Sequence, residues 1–89
     1  MSISKKIERS HILRAIIHID KFGSPIKNQG RNYFLKVGTI QYPVIYTICV
    51  ANIYAEGFFL VHDASDFNSL QAINHLENLG FEIIERKSL

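Results

Sequence analysis

The residues able to do chemistry near neutral pH are few in this chain: His11, His18, His62 and His75, and one cysteine, Cys49. No two of the histidines stand at the i, i+4 spacing that puts a metal-binding pair on one helix face, and Cys49 has no second thiolate near it. His11 and His18 are seven residues apart and can share a helix face, a spacing that an ordinary solvated face accounts for. His62-Asp63 is the nearest approach to an acid–base pair, but it falls in an expected loop with no nucleophile beside it, and general acid–base chemistry needs a positioned partner. An enzyme using these two residues requires a pocket around them. Neither a Walker loop, a dinucleotide fingerprint nor a zinc-finger spacing occurs. The expectation is a chain with no catalytic residues, no metal and no cofactor.

A different chemistry is better represented. Lys27, Arg31 and Lys36 surround Tyr33 and Phe34, and Lys5, Lys6 and Arg9 precede the first expected helix. Cations of this kind neutralise phosphates, and exposed aromatic rings stack on bases. In a strand Tyr33 and Phe34 point to opposite faces, so one of them is expected in the core and at most one free. Charge is polarised along the chain. Residues 1–36 carry eight lysines and arginines against Glu8 and Asp20 alone, whereas residues 37–85 hold no lysine or arginine and six carboxylates, Glu56, Asp63, Asp66, Glu77, Glu82 and Glu85. Such segregation steers a polyanion to one face and away from another.

The elements that must position these groups follow from periodicity. The 89 residues, 47% hydrophobic and 20% charged, suit one domain with one modest core. We expect a basic segment over residues 1–9 and a folded core over 10–86. Ile12, Leu13, Ile16, Ile17 and Ile19 recur at helical intervals, predicting a helix from Ser10, as N-cap, to Phe22, stopped by Gly23 and Pro25. Residues 25–31 form a polar, basic loop. Two β-branched and aromatic runs, 32–36 and 37–42, flank Gly38 and predict a tight hairpin. Pro43 suits the first turn of a second helix, Val44 to Tyr54, which ends before Gly57 and is apolar enough to be buried on most sides, Cys49 with it. Residues 58–61 are either a short strand or an apolar turn. Ser65 or Asp66 can cap a third helix with an apolar stripe of Phe67, Leu70, Ile73, Leu76 and Leu79, ended by Gly80. Residues 81–85 alternate as a strand that pairs with the hairpin. The prediction is an α+β fold of order α-β-β-α-α-β, in which a small antiparallel sheet of about three strands is covered by about three helices.

The single cysteine and the lack of a leader-like N-terminus predict a cytoplasmic protein. The longest apolar run, Val44 to Ala51, is far short of the ~20 residues of a membrane span. The Met1 start agrees with an N-terminal module.

The run from Tyr42-Pro43 through Ala51-Asn52 and Tyr54 to Gly57 resembles the N-terminal head domain of McrA-like, modification-dependent HNH restriction endonucleases of the ScoMcrA type. That family shows a helix of the form HILxAIxxID, a tyrosine-bearing strand after a basic loop, a YPPK-led helix ending in ANxYxxG, and a closing LExLGFEI. His11-Ile12-Leu13, Ala15-Ile16 and Ile19-Asp20 are similar to the first, Arg31-Asn32-Tyr33 to the second, and Leu76-Glu77 with Leu79-Gly80-Phe81-Glu82-Ile83 to the last. The resemblance spans about residues 10–85. Ile45 stands where the family has the YPPK lysine, Val44 replaces its second proline, and the acidic FSGG loop is absent around Asp66 to Ser69. Nuclease chemistry in such proteins belongs to a separate HNH domain.

The resemblance implies a non-catalytic DNA-binding or target-recognition module of a restriction or phage-defence system. Its partners would be DNA, modified bases included, and other domains or subunits of a restriction complex. The expected contacts are Lys27, Arg31, Lys36, Lys5, Lys6 and Arg9 on phosphates, with Tyr33 and Tyr42 as candidates for bases. The alternative is a protein-interaction or oligomerisation head domain without nucleic-acid contact, using the acidic stretch 37–85. Oligomeric state is open on either reading.

Overall fold

A nearly unbroken apolar run such as residues 44–54 cannot sit on a surface, and the rest of the fold is arranged to cover it. The computed structural model describes residues 3–23, 33–60 and 69–85. Among these, helix α1 (Arg9–Phe22) is followed by strands β1 (Tyr33–Val37) and β2 (Ile40–Pro43), helices α2 (Val44–Glu56) and α3 (Ser69–Asn78), and strand β3 (Glu82–Glu85). The α+β class and the element order are those expected from the sequence. The sheet is antiparallel throughout, in the order β2-β1-β3.

Helix α1 buries Ile12, Ala15, Ile16 and Ile19, one stripe of its periodicity, and packs that stripe on α2. It begins one residue before Ser10. Glu8 occupies the N-cap, and its backbone N–H donates to His11 Nδ1 at 2.9 Å, so the imidazole plays the return role that a glutamate has in a capping box. Ser10 sits exposed inside the first turn.

The start shifts because the preceding segment is not a detached basic tail. Ile3 and Ile7 lie in the core, Ile7 with only 1% of its surface exposed. The Ser4 hydroxyl donates to the Glu56 carboxylate at the end of α2. His75 Nε2 lies 2.9 Å from the Ile7 carbonyl, which can only accept, so Nε2 carries the hydrogen. The expected boundary at residue 10 is therefore not where packing begins.

The hairpin turns at Gly38-Thr39, with Gly38 at φ 63, a left-handed conformation that a two-residue loop requires and a side chain resists. Pairing sets Leu35 between Tyr42 and Ile83, all on the helix-covered face, and Lys36 between Gln41 and Glu82 on the other. Pro43 closes β2 and serves as the N-cap of α2 (φ −61, ψ 130) rather than lying in its first turn.

In α2, Val44, Ile48, Cys49, Val50 and Ala51 are buried around nearly the whole circumference, together with two polar residues. Thr47 Oγ1 donates to the Pro43 carbonyl at 2.6 Å and Asn52 Nδ2 to the Phe58 carbonyl at 3.0 Å, so each is buried with a partner. After Gly57 the chain turns back along α2, and Leu60 N–H donates to Cys49 O at 3.2 Å. Residues 58–60 are this returning turn and not a strand, with Phe58 and Phe59 exposed.

Helix α3 corrects the expected stripe. Ala72 and Leu76 are buried and Ile73 and Leu79 partly so, but Leu70 is 63% exposed. Steps of three residues fall about 60° short of a full turn each time, so a 70-73-76-79 series winds around the helix, whereas the i, i+4 pair Ala72 and Leu76 holds one face. The expected caps Ser65 and Asp66, and Phe67, lie outside the described residues. The helix ends where Gly80, at φ 92, leaves room for Arg9, whose Nη1 would lie 3.1 Å from any Cβ added there.

Two alanine substitutions on α3 separate its faces. Leu76→Ala should lower the free energy of unfolding in urea by about 2–5 kcal/mol, and Leu70→Ala by no more than about 0.5 kcal/mol. Ile7→Ala should behave like Leu76→Ala if the N-terminal segment belongs to the core.

Candidate nucleic-acid interface

With one stripe of α1 committed to α2, its remaining circumference is open. On that open side Arg14, His18 and Lys21 follow one another at i, i+4 and i+7, and Phe22 stands four residues after His18. Tyr54, near the end of the antiparallel neighbour α2, lies alongside them. Its hydroxyl is 3.4 Å from His18 Nδ1, and the Arg14 guanidinium is 5.9 Å from its ring centre. The His18 and Phe22 rings are tilted by 51° with centres 4.9 Å apart, and Lys21 Nζ is 5.6 Å from the Phe22 ring centre. Phe22 is 70% exposed and Tyr54 38%. Two cation–ring pairs thus lie side by side, one bridging α1 and α2 and one at the end of α1, with the backbone positions of Arg14 and Lys21 about 10 Å apart along the α1 axis by the rise of seven residues.

The described carboxylates are elsewhere. Asp20 lies on the other flank of α1, accepting from Tyr42; Glu56 is held by Ser4 and by Lys6, whose Nζ is 3.9 Å away. Glu8 caps α1, Glu77 is on α3, and Glu82 and Glu85 are on β3.

The residues nominated from sequence are dispersed. Lys27 and Arg31 lie outside the described residues, as do His62 and Asp63. Lys36 projects from the outer face of the sheet with Glu82 beside it in register, remote in the fold from the open side of α1. Lys5 and Lys6 are exposed in the turn before α1. Arg9 is committed to structure: Nη1 donates to Leu79 O at 2.9 Å and its guanidinium lies 4.5 Å from the centre of the buried Phe81 ring. Tyr33 is half-buried on the core face of β1, and Phe34 takes the outer face.

Tyr42 must be corrected as a base-contact candidate. It is 4% exposed, and its hydroxyl donates to Asp20 Oδ1 at 2.7 Å. Burial first, then the hydrogen bond and the charge of Asp20, push its pKa from 10.0 up to about 12. It joins β2 to the end of α1 and has no face to offer a base.

Sequence reasoning passed over Arg14, Lys21, Phe22 and Tyr54 as contacts and set His18 aside as part of a solvated face. The 14-18-21 spacing was visible as the polar side of an amphipathic helix. That Phe22 is outside and that Tyr54, thirty-six residues from His18, completes the strip depends on how α1 and α2 pack. Among the described residues no three His, Cys, Asp or Glu side chains gather to hold a metal, and no helix is long and apolar enough to cross a membrane. Compared with protein-family models, curated proteins and solved structures, the chain has no match.

The Tyr42–Asp20 pair predicts an alkaline signature. Below pH 10 the phenol is protonated in both states; from about 10 to about 12 the unfolded chain releases its proton while the native one keeps it. The unfolded state then binds fewer protons, so this group's stabilisation is lost as pH rises through that window. Tyr42→Phe should cost about 0.5–1.5 kcal/mol at neutral pH, and its melting temperature should fall less steeply than wild type above pH 10.

Proposed function

We propose that the chain is a non-catalytic DNA-binding module, in the restriction or phage-defence setting that the sequence resemblance implies. The observation that carries this reading is the strip of Arg14, His18 and Lys21 beside the exposed rings of Phe22 and Tyr54, with the described carboxylates held on other faces. Among the described residues, a polyanion meeting the strip finds cations whose neighbouring carboxylates are engaged on other faces, while Glu77, Glu82 and Glu85 repel it from α3 and β3. The strip ends at Phe22, and the segment that follows in sequence carries two more cations, Lys27 and Arg31. The binder reading also fits what the other polar groups do: His11, His75 and Tyr42 each hold a structural partner.

A second reading, a protein-interaction or oligomerisation head, is favoured by the other flank of α1, where Leu13 and Ile17 are exposed, Ile17 at 65%. Sedimentation velocity over a range of concentrations distinguishes it, since self-association would raise the sedimentation coefficient with concentration.

For the DNA reading, anisotropy titrations of labelled DNA at several salt concentrations are decisive. Affinity should fall as salt rises. The double variant Arg14→Glu with Lys21→Glu should weaken binding at least ~10-fold at low salt and flatten the log–log salt slope by about 1.8 if each cation holds one phosphate of a duplex. Lys36→Glu, on the outer sheet face, should change binding less. Salt-independent binding, or none, would remove the proposal.

A further inference from the structure

The strip is more specific than a patch of positive charge, because each cation is paired with an aromatic ring that the fold leaves in water. Lys21 stands by Phe22 and Arg14 by Tyr54, at similar separations of 5.6 and 5.9 Å. Phe22 is the more telling of the two. It is 70% exposed although it directly follows the helical turn that buries Ile19, so its ring is open to a ligand beside the Lys21 ammonium.

What would cover it is constrained by its neighbours. An apolar partner alone would strand the Lys21 ammonium beside it and the Arg14 guanidinium a turn and more away, at a desolvation cost. A ligand carrying flat π faces and negative charges in alternation satisfies both. A nucleic-acid strand has that construction, with one base and one phosphate per residue. Arg14 and Lys21 are about 10 Å apart along the helix axis, so the strip can follow a strand over more than one nucleotide. Duplex DNA offers the phosphates but keeps its base faces stacked inside, where the two rings cannot reach them. Unpaired bases expose those faces, and stacking on an aromatic side chain tolerates any base.

We infer that the α1–α2 strip binds a single strand of nucleic acid, with Phe22 and Tyr54 stacking on unpaired bases and Lys21 and Arg14 holding the adjoining phosphates. This rests on the DNA-binding reading and adds strand preference to it. In a duplex context the same site would take a base only where the pairing is open, at an end, a gap or an extruded nucleotide.

The test compares three labelled probes at one salt concentration: oligothymidylate of about 12 nucleotides, within the ~4–16 nucleotides of known single-strand sites, a duplex of the same length, and an abasic strand with the same phosphates and no bases. Oligothymidylate should bind tightest. Phe22→Ala and Tyr54→Ala should each weaken its binding about five- to a hundredfold and leave the abasic strand unaffected, whereas Arg14→Glu with Lys21→Glu should weaken all three. Circular dichroism melts verify folding, and Phe22→Ala alone decides the matter if Tyr54→Ala unfolds. Equal binding of oligothymidylate and the abasic strand, or no effect of Phe22→Ala, would overturn stacking while leaving electrostatic DNA binding in place. No binding to any of the three probes would overturn both.

Discussion

The structure depends on the burial of α2. A helix with Val44, Ile48, Cys49, Val50 and Ala51 spread around its circumference has no face that water tolerates, so it must be enclosed. Helix α1 covers one side, α3 and the sheet cover others, and the turn at 58–60 runs back along it. The two polar residues inside the enclosure then dictate local chain direction. Asn52 needs an acceptor, and the Phe58 carbonyl supplies it only if the chain reverses after Gly57. Phe58 and Phe59 are left exposed by that reversal, so their exposure is a by-product of satisfying a buried amide.

Enclosing α2 also decides which surfaces stay open. Helix α1 lends a single stripe to the core, because its charged residues interrupt every other line along it. The sheet gives one face, with Leu35 at its centre, and turns Lys36 and Phe34 outward. The described cations left exposed therefore lie on the outer side of α1, on the outer face of the sheet, and in the turn before α1 that carries Lys5 and Lys6. The outer sheet face sets Glu82 beside Lys36, a carboxylate that competes with an incoming anion. Among the described residues, no carboxylate stands so beside Arg14 or Lys21 on the open side of α1.

Features governed by local periodicity were legible in the sequence. The α1 stripe, the all-round burial of α2, the hairpin at Gly38 and a last strand pairing with that hairpin each follow from which residues repeat at what interval; that β3 joins β1 and not β2 does not. Three features were not, and two of them have a long-range cause. The start of α1 moved because Ile7, among lysines and a glutamate, packs in the core, and its carbonyl meets His75 sixty-eight residues later. The face of α3 was misjudged at Leu70 because an apolar residue near a helix end has no obligation to be inside. Tyr42 resembled a contact residue until Asp20, twenty-two residues earlier, proved to be its partner. An isolated polar tip on an aromatic ring carries no signal of whether it faces protein or ligand.

The same ambiguity applies to cations beside rings, and the fold resolves it by what each member has left to offer. Arg9 lies over Phe81 more closely than any other cation–ring pair described, yet Phe81 is buried and the guanidinium already donates to the C-terminal carbonyl of Leu79. Both members are used up: the cation satisfies the end of α3 and shields the ring, and its charge complements the helix dipole there. At Arg14–Tyr54 and Lys21–Phe22 the separations are longer and the rings remain open to solvent. A guanidinium or ammonium at nearly 6 Å gains little from the ring at an exposed site, about 0.5–1 kcal/mol at most, so these pairs contribute little to folding. Proximity alone would rank Arg9 first as a ligand contact; unspent surface ranks it last, and places the open side of α1 ahead of the basic turn that precedes it.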